Sequence, residues 1–170
     1  VRVHLTAPSW RAPAGATAGV GDGGGRRPAA RQAASAISPD GTRIGYALAG
    51  EGRDGMVLVH SLAMDGTFWQ PVLERLPPQL PVLVPDCRGH GGSDRPPGPY
   101  TIELFARDLA DLLDHVGWRS ALVAGASMGA CVALGFAAAC PQRTRALGLI
   151  DTTAWYGPQA PAQWEERARK

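Results

Sequence analysis

Lysine is almost absent from this 170-residue chain: Lys170 stands alone beside sixteen arginines. Aromatic residues make up 6% of the sequence, and formal net charge is +2. A charge so near zero gives no electrostatic footprint for nucleic acid, and none is expected as a partner. Cysteine is sparse. Cys87, Cys131 and Cys140 show no C-x-x-C spacing, which argues against a disulfide framework or a zinc ribbon and favours reduced thiols in a cytoplasmic setting. No apolar run approaches the roughly 18 residues that would span a bilayer, so no membrane partner is expected. Val1 to Thr6 lack the apolar core of a secretory signal.

Large apolar residues are also few in the first 35 positions. Residues 1–35 are rich in Ala, Gly, Arg and Pro, carry Arg2, Arg11, Arg26, Arg27 and Arg31 against Asp22, and include Gly23-Gly24-Gly25. Such a segment cannot bury enough surface to order itself, so a disordered tail is expected over 1–35. Only Ser9 and Ser35 occur there, against the serine richness of a transit peptide. From Ala36 onward the texture is that of a folded unit, expected over 36–170.

What is present in that unit is an alternation of strand and helix signals. Ser38-Pro39-Asp40-Gly41-Thr42 predicts a turn between two short extended pieces. Met56 to His60 and Pro81 to Pro85 are continuous apolar runs suited to strands buried on both faces of a parallel sheet. Thr67 to Leu76 predicts a helix with Pro71 in its first turn, stopped by Pro77-Pro78. Phe105, Leu109, Leu112, Leu113 and Val116 fall on one helical face, with Thr101 as N-cap and Gly117 at the helix end. Ala121 to Ala124 predicts a strand, Ala130 to Ala139 a helix, and Arg145 to Ile150 a further strand. The fold class predicted is α/β, a doubly wound, mostly parallel sheet.

Gly125-Ala126-Ser127-Met128-Gly129 lies between the strand and helix signals. A Gly-x-Ser-x-Gly in that place predicts a nucleophile elbow, a turn so tight that only small residues fit two before and two after the serine. The turn lifts the Ser127 hydroxyl above the sheet edge and aims the Met128 N–H at an oxyanion. His60 closes a strand at the same edge and reads as a loop-orienting residue rather than a general base. Asp86, Arg88 and His90 belong to the turn Asp86-Cys87-Arg88-Gly89-His90-Gly91-Gly92-Ser93-Asp94, where their polar groups are expected to hold the loop in place. Asp86 and His90 lack a third clustered metal ligand, and the loop lacks the Gly-Lys-Ser/Thr of a phosphate cradle, so neither metal nor cofactor is expected. Cys131 and Cys140 read as packing residues, and Trp155 and Tyr156 as possible walls of a substrate cleft.

Together, His60-Ser61-Leu62, the Asp86–Asp94 turn, Pro97 to Glu103, the Ser127 elbow and Asp151 to Gly157 resemble the N-terminal half of an α/β-hydrolase, most closely the 3-oxoadipate enol-lactonase-like branch. The resemblance covers Ile37 to Lys170. It implies a small-molecule ester or lactone substrate, attack by Ser127 with an acyl-enzyme intermediate, and an oxyanion held by the backbone N–H groups of Leu62 and Met128. A serine at the elbow also argues against the carboxylate nucleophile of dehalogenase-type chemistry. The family's acid and histidine follow the serine, whereas only 43 residues follow Ser127 here and none is histidine. The sheet is therefore expected to be C-terminally incomplete and the chain weak or inactive alone. The competing expectation is a non-catalytic fragment that pairs with a complementing C-terminal half.

Overall fold

A computed structural model of the chain describes residues 32–153 and 157–168. Six strands form one sheet: β1 (Gln32–Ile37), β2 (Arg43–Ala49), β3 (Asp54–Val59), β4 (Val82–Pro85), β5 (Ser120–Ala126) and β6 (Thr144–Ile150). Their spatial order is β1-β2-β4-β3-β5-β6. The β1–β2 and β2–β4 pairs are antiparallel, and β4–β3, β3–β5 and β5–β6 are parallel. The fold is a doubly wound, mostly parallel α/β sheet, with the carboxyl ends of β3, β5 and β6 side by side at one edge.

Order in the sheet begins earlier than composition suggests. β1 starts at Gln32 rather than after residue 35, and pairs with β2 through the Ser38–Thr42 turn. Ala33, Ala34 and Ser35 are exposed, so it is backbone pairing along an edge strand, and not burial of large side chains, that fixes them. Residues 1–31 lie outside the described residues.

The helix expected over Thr67–Leu76 is instead a 3₁₀ turn, Gly66–Trp69, leading into a four-residue α1 (Gln70–Leu73). Asp65 caps the turn by accepting the Thr67 N–H at 2.9 Å. Pro71 has no N–H to continue the ladder, and Pro77 disfavours helical backbone at Leu76. α2 (Ile102–His115) follows its sequence signals: the Thr101 hydroxyl accepts the Leu104 N–H at 3.2 Å, and Gly117 takes φ +73° past the helix end. Phe105, Leu109, Leu112 and Leu113 are buried against Val57, Leu83, Val123 and Phe136, the last from α3 (Met128–Ala139). On the opposite face Trp69 packs with Leu58, Val82, Val84, Ala124 and Ala126. A final helix, α4 (Ala160–Ala168), was not signalled by periodicity, because Pro158 and Pro161 break the local pattern.

A buried ionic cluster joins the hairpin, the Asp86–Asp94 loop and α2. The Arg88 guanidinium, 3% exposed, donates from Nε and Nη2 to the two Asp108 carboxylate oxygens at 2.6 and 2.5 Å, and from Nη1 to Asp40 at 2.9 Å. Ser38 Oγ donates to Asp108 at 3.2 Å. Asp40 is half exposed, and hydrogen bonds from Thr42 and then Arg88 hold its carboxyl down at about 2. The bidentate geometry supplies what a charge needs out of water. Asp108→Ala leaves the buried Arg88 with the half-exposed Asp40 as its remaining ion-pair partner and two of its donors unsatisfied, and is expected to cost about 3 kcal/mol. Asp40→Ala, at the wet end, should cost much less. Urea unfolding midpoints of the two variants check this; equal losses would contradict it.

Candidate active site

The strand β5 delivers Ser127 to the sheet edge in a strained turn. Its backbone lies at φ 51°, ψ −113°, and α3 begins at the next residue. The hydroxyl makes no capping bond to the helix it precedes. Close packing dictates the flanking glycines. A β-carbon on Gly125 would collide with the Gly129 carbonyl group, and one on Gly129 would collide with the Val59 and His60 carbonyl oxygens. The first turn of α3 therefore rests directly on the end of β3. The Ser127 N–H donates to the Ile150 carbonyl at 2.9 Å, which ties the elbow to β6 as well.

Met128 is the first residue of α3, so its N–H has no acceptor within the helix and sits at the positive end of the helix dipole. Leu62 follows β3 on the adjoining loop, with its side chain 55% exposed. Ala63 beside it adopts φ 60°, a costly conformation for a residue with a β-carbon. The loop is thus held in a specified shape rather than a relaxed one.

His60 does the holding. It is fully buried, its Nδ1 lies 2.8 Å from the Ser61 carbonyl, and its Nε2 accepts the Cys87 N–H at 2.9 Å. That pattern requires the neutral ring with the proton on Nδ1. Burial first, and then the charge of nearby His90, push its pKa down against the raising influence of the Ser61 carbonyl, Asp86 and Asp65. Asp86 braces the same junction by accepting the N–H groups of Gly66 and Gly92, both at 2.7 Å. Ser93, 2% exposed, donates to the Asp86 carbonyl at 2.7 Å and accepts the Gly45 N–H at 2.8 Å, securing the loop to β2. His90 reaches the Arg88 carbonyl at 3.1 Å and packs its ring 5.2 Å from that of His60.

Several expected roles take a different physical form. Arg88 braces the loop from outside it, through Asp108 and Asp40 rather than local backbone. Cys131 does more than pack: its sulfur lies 3.3 Å from Thr152 Oγ1, bridging α3 to the segment after β6. Cys87 is buried, which raises its thiol pKa to about 12 and leaves it unreactive. Trp155 and Tyr156 lie outside the described residues. An open cleft of about 670 Å³ instead flanks the Leu62 loop, lined by Ala63, Met64, Phe68, His90 and Arg95. Ser93, Asp108 and Ala63 were not singled out in the sequence. The Ser-Asp pair ending the Gly-rich turn was the available signal for Ser93.

None of the described histidines is placed to serve Ser127. Both nitrogens of His60 are engaged, His90 faces Arg88 and His60, and His115 packs edge-on to Tyr46 of β2. Among the described residues no cluster of potential metal ligands forms, and no helix is long and apolar enough to cross a membrane.

This architecture belongs to a known class. Residues 55–170 match the family model for the alpha/beta hydrolase fold, and the chain is a member of that family. It is 32% identical over 127 residues to 3-oxoadipate enol-lactonase 2 of Acinetobacter baylyi, covering 74% of this chain and 47% of the relative. Among solved structures it is similar to a hydrolase from Pseudomonas aeruginosa PA01 (TM-score 0.72, 36% identity, 79% of this chain and 51% of that one). A thermophilic esterase from Thermogutta terrifontis is equally similar (TM-score 0.71, 34% identity, 82% and 54%). The chain thus spans about half the length of these relatives, and as little as 32% of other curated ones.

Two outcomes follow from the geometry. Gly125→Ala and Gly129→Ala force backbone apart where no flexible side chain can yield, and should each destabilise by at least about 2 kcal/mol in urea melts; wild-type stability would contradict the elbow packing. Because the folded pKa of His60 lies below its ordinary value of about 6.5, the unfolded chain takes up that proton first as pH falls. Stability should therefore decline as pH drops through about 6.5 and level off below the folded pKa. His60→Gln should be less stable at neutral pH and lose that slope; an unchanged slope would contradict the assignment.

Proposed function

We propose that this chain carries the nucleophile half of a serine hydrolase acting on a carboxylic ester or lactone. The observation that carries the reading is the strained Ser127 at the β5–α3 junction, with the Met128 N–H next in the helix and the Leu62 loop alongside. Ser127 Oγ attacks the carbonyl carbon, and the negative charge that grows on the carbonyl oxygen is met by the Leu62 and Met128 N–H groups. Each such donor contributes about 3–4 kcal/mol to the transition state in comparable sites. The acyl group passes to Ser127, the alcohol or enol departs, and water releases the acid. Similarity to an enol-lactonase and an esterase supports an ester or lactone as the acyl donor. The cleft beside the Leu62 loop, lined by Met64, Phe68 and Arg95 among others, suits a small substrate with an apolar part.

With no described histidine in reach, the serine keeps its proton at neutral pH and is a weak nucleophile, so slow turnover is expected from the 170-residue chain. A second reading rests on β6: Leu147, Leu149 and Ile150 on this last strand are 38%, 45% and 49% exposed. An apolar strand so open suits pairing with a complementing C-terminal half, as a fragment without catalysis of its own.

The test is hydrolysis of p-nitrophenyl acetate by the wild-type chain and Ser127→Ala. Slow turnover that the substitution abolishes supports the serine hydrolase. Identical rates would sink it and favour the fragment reading. Robust turnover would overturn the assignment of a missing base and point to His60 or His90.

A further inference from the structure

Arg95 is the cation that ion pairing leaves over, among the described residues, in the loops around the cleft. Arg43 is bonded to Asp94 and to the Gly92 carbonyl, and Arg88 to Asp108 and Asp40. Arg95 is exposed, and among the described residues no carboxylate pairs with it. Its Nη2 donates to the Gly91 carbonyl at 3.3 Å, which leaves most of the donors of a guanidinium unused.

The backbone on either side of Arg95 is held. The Asp94 N–H donates to the Arg43 carbonyl at 2.9 Å, and the Asp94 carboxylate accepts the Arg43 N–H at 2.9 Å. Pro96 restricts the backbone of Arg95 to extended conformations. The side chain thus springs from a fixed point, which lowers the ordering cost of engaging a ligand.

Arg95 lines the open cleft of about 670 Å³ together with Met64 and Phe68, which are 50% and 38% exposed. Neither Ser127 nor Met128 lines it, so a group held there is not the reacting carbonyl. Asp65 faces the same cleft without pairing to Arg95. Its Oδ1 accepts the Thr67 N–H and hydroxyl at 2.9 and 2.5 Å, so it serves as the cap of the turn. The neutral His90 ring, with Nδ1 on the Arg88 carbonyl, keeps Nε2 as an acceptor and offers an anion nothing. Recognition of an anion in this cleft therefore falls to Arg95.

We propose that Arg95 is a specificity-determining residue: it holds a carboxylate that the ester or lactone carries at the end of a short apolar chain. The inference rests on the serine-hydrolase reading. The guanidinium meets the carboxylate through two parallel N–H···O bonds, the chain lies along Met64 and Phe68, and the reacting carbonyl lies beyond the cleft toward Leu62. Water reaches this pair, so its effect is on the choice among substrates rather than on tight binding. A neutral ester of equal length forgoes the pair, and a cationic one is repelled.

Hexanoate, with hexanamide as its uncharged counterpart, probes the site by NMR of the isotope-labelled 170-residue protein. Hexanoate should shift the Arg95 Nε–H signal and the amides of Met64 and Phe68 saturably, and bind at least about five-fold tighter than hexanamide. Arg95→Gln should erase that difference. Arg95→Lys keeps the charge without the fork and should restore part of it. Mono-p-nitrophenyl pimelate and p-nitrophenyl heptanoate, each corrected by the Ser127→Ala rate, report on substrate choice. Wild type should favour the anionic ester, and Arg95→Gln should lower that rate ratio by about five-fold or more. Equal binding of hexanoate and hexanamide, or an unchanged rate ratio in Arg95→Gln, would overturn the proposal and leave the serine reading standing. Hexanoate bound through Arg95, with ester rates equal to those of Ser127→Ala, would overturn the serine reading and with it the substrate role of the site.

Discussion

The candidate site hangs on the contact between the first turn of α3 and the end of β3, made through Gly129 with no room for a β-carbon. Everything at the candidate site depends on it. It sets how near the positive end of α3 comes to the Leu62 loop, and so where the two backbone N–H groups of the proposed oxyanion site would meet one oxygen. It also forces the chain between β5 and α3 into a turn that only a strained residue can occupy, which is the conformation of Ser127. Gly125 completes the arrangement from the strand side. The Ala-rich sequence of α3 then lets the helix lie flat on β5 and β6 over its remaining length.

A strained turn persists only when its surroundings are rigid, and polar clamps supply that rigidity here. His60 joins the loop after β3 to the loop after β4 with a single neutral ring. Asp86 adds two backbone bonds across the same seam, and Ser93 secures it to β2. Behind them the Arg88–Asp108 pair reaches α2 and the β1–β2 turn. His60, Ser93, Arg88 and Asp108 are buried, Asp86 is half-buried, and all are hydrogen-bonded, so loss of one partner leaves the others with an unpaired charge or donor. The loops at the carboxyl edge are therefore part of the core in an energetic sense, although they carry the candidate chemistry.

Much of this was legible in the sequence, and the rest was hidden for physical reasons. The apolar runs that form β3, β4 and β5 and the stripe along α2 are local patterns, and local patterns show in sequence. The elbow at Ser127 was legible because its glycines are demanded by sterics within five residues. β1 was underestimated because its small side chains leave no hydrophobic period; it exists through pairing with β2. α1 was overestimated because Pro71 removes a ladder bond that an apolar period does not report. The Arg88–Asp108 bond, the Ser38–Asp108 bond and the positive φ of Asp151 depend on contacts between distant segments, and no single window of sequence contains them.

The central claim is that the Leu62 and Met128 N–H groups converge on the oxygen of a group bound to Ser127. A crystal structure of the chain after exhaustive reaction with a small fluorophosphonate tests it most directly. The account predicts a covalent adduct on Ser127 Oγ with a phosphoryl oxygen within about 2.7–3.1 Å of both nitrogens. An adduct on another residue, or a phosphoryl oxygen turned to solvent away from both N–H groups, would contradict it.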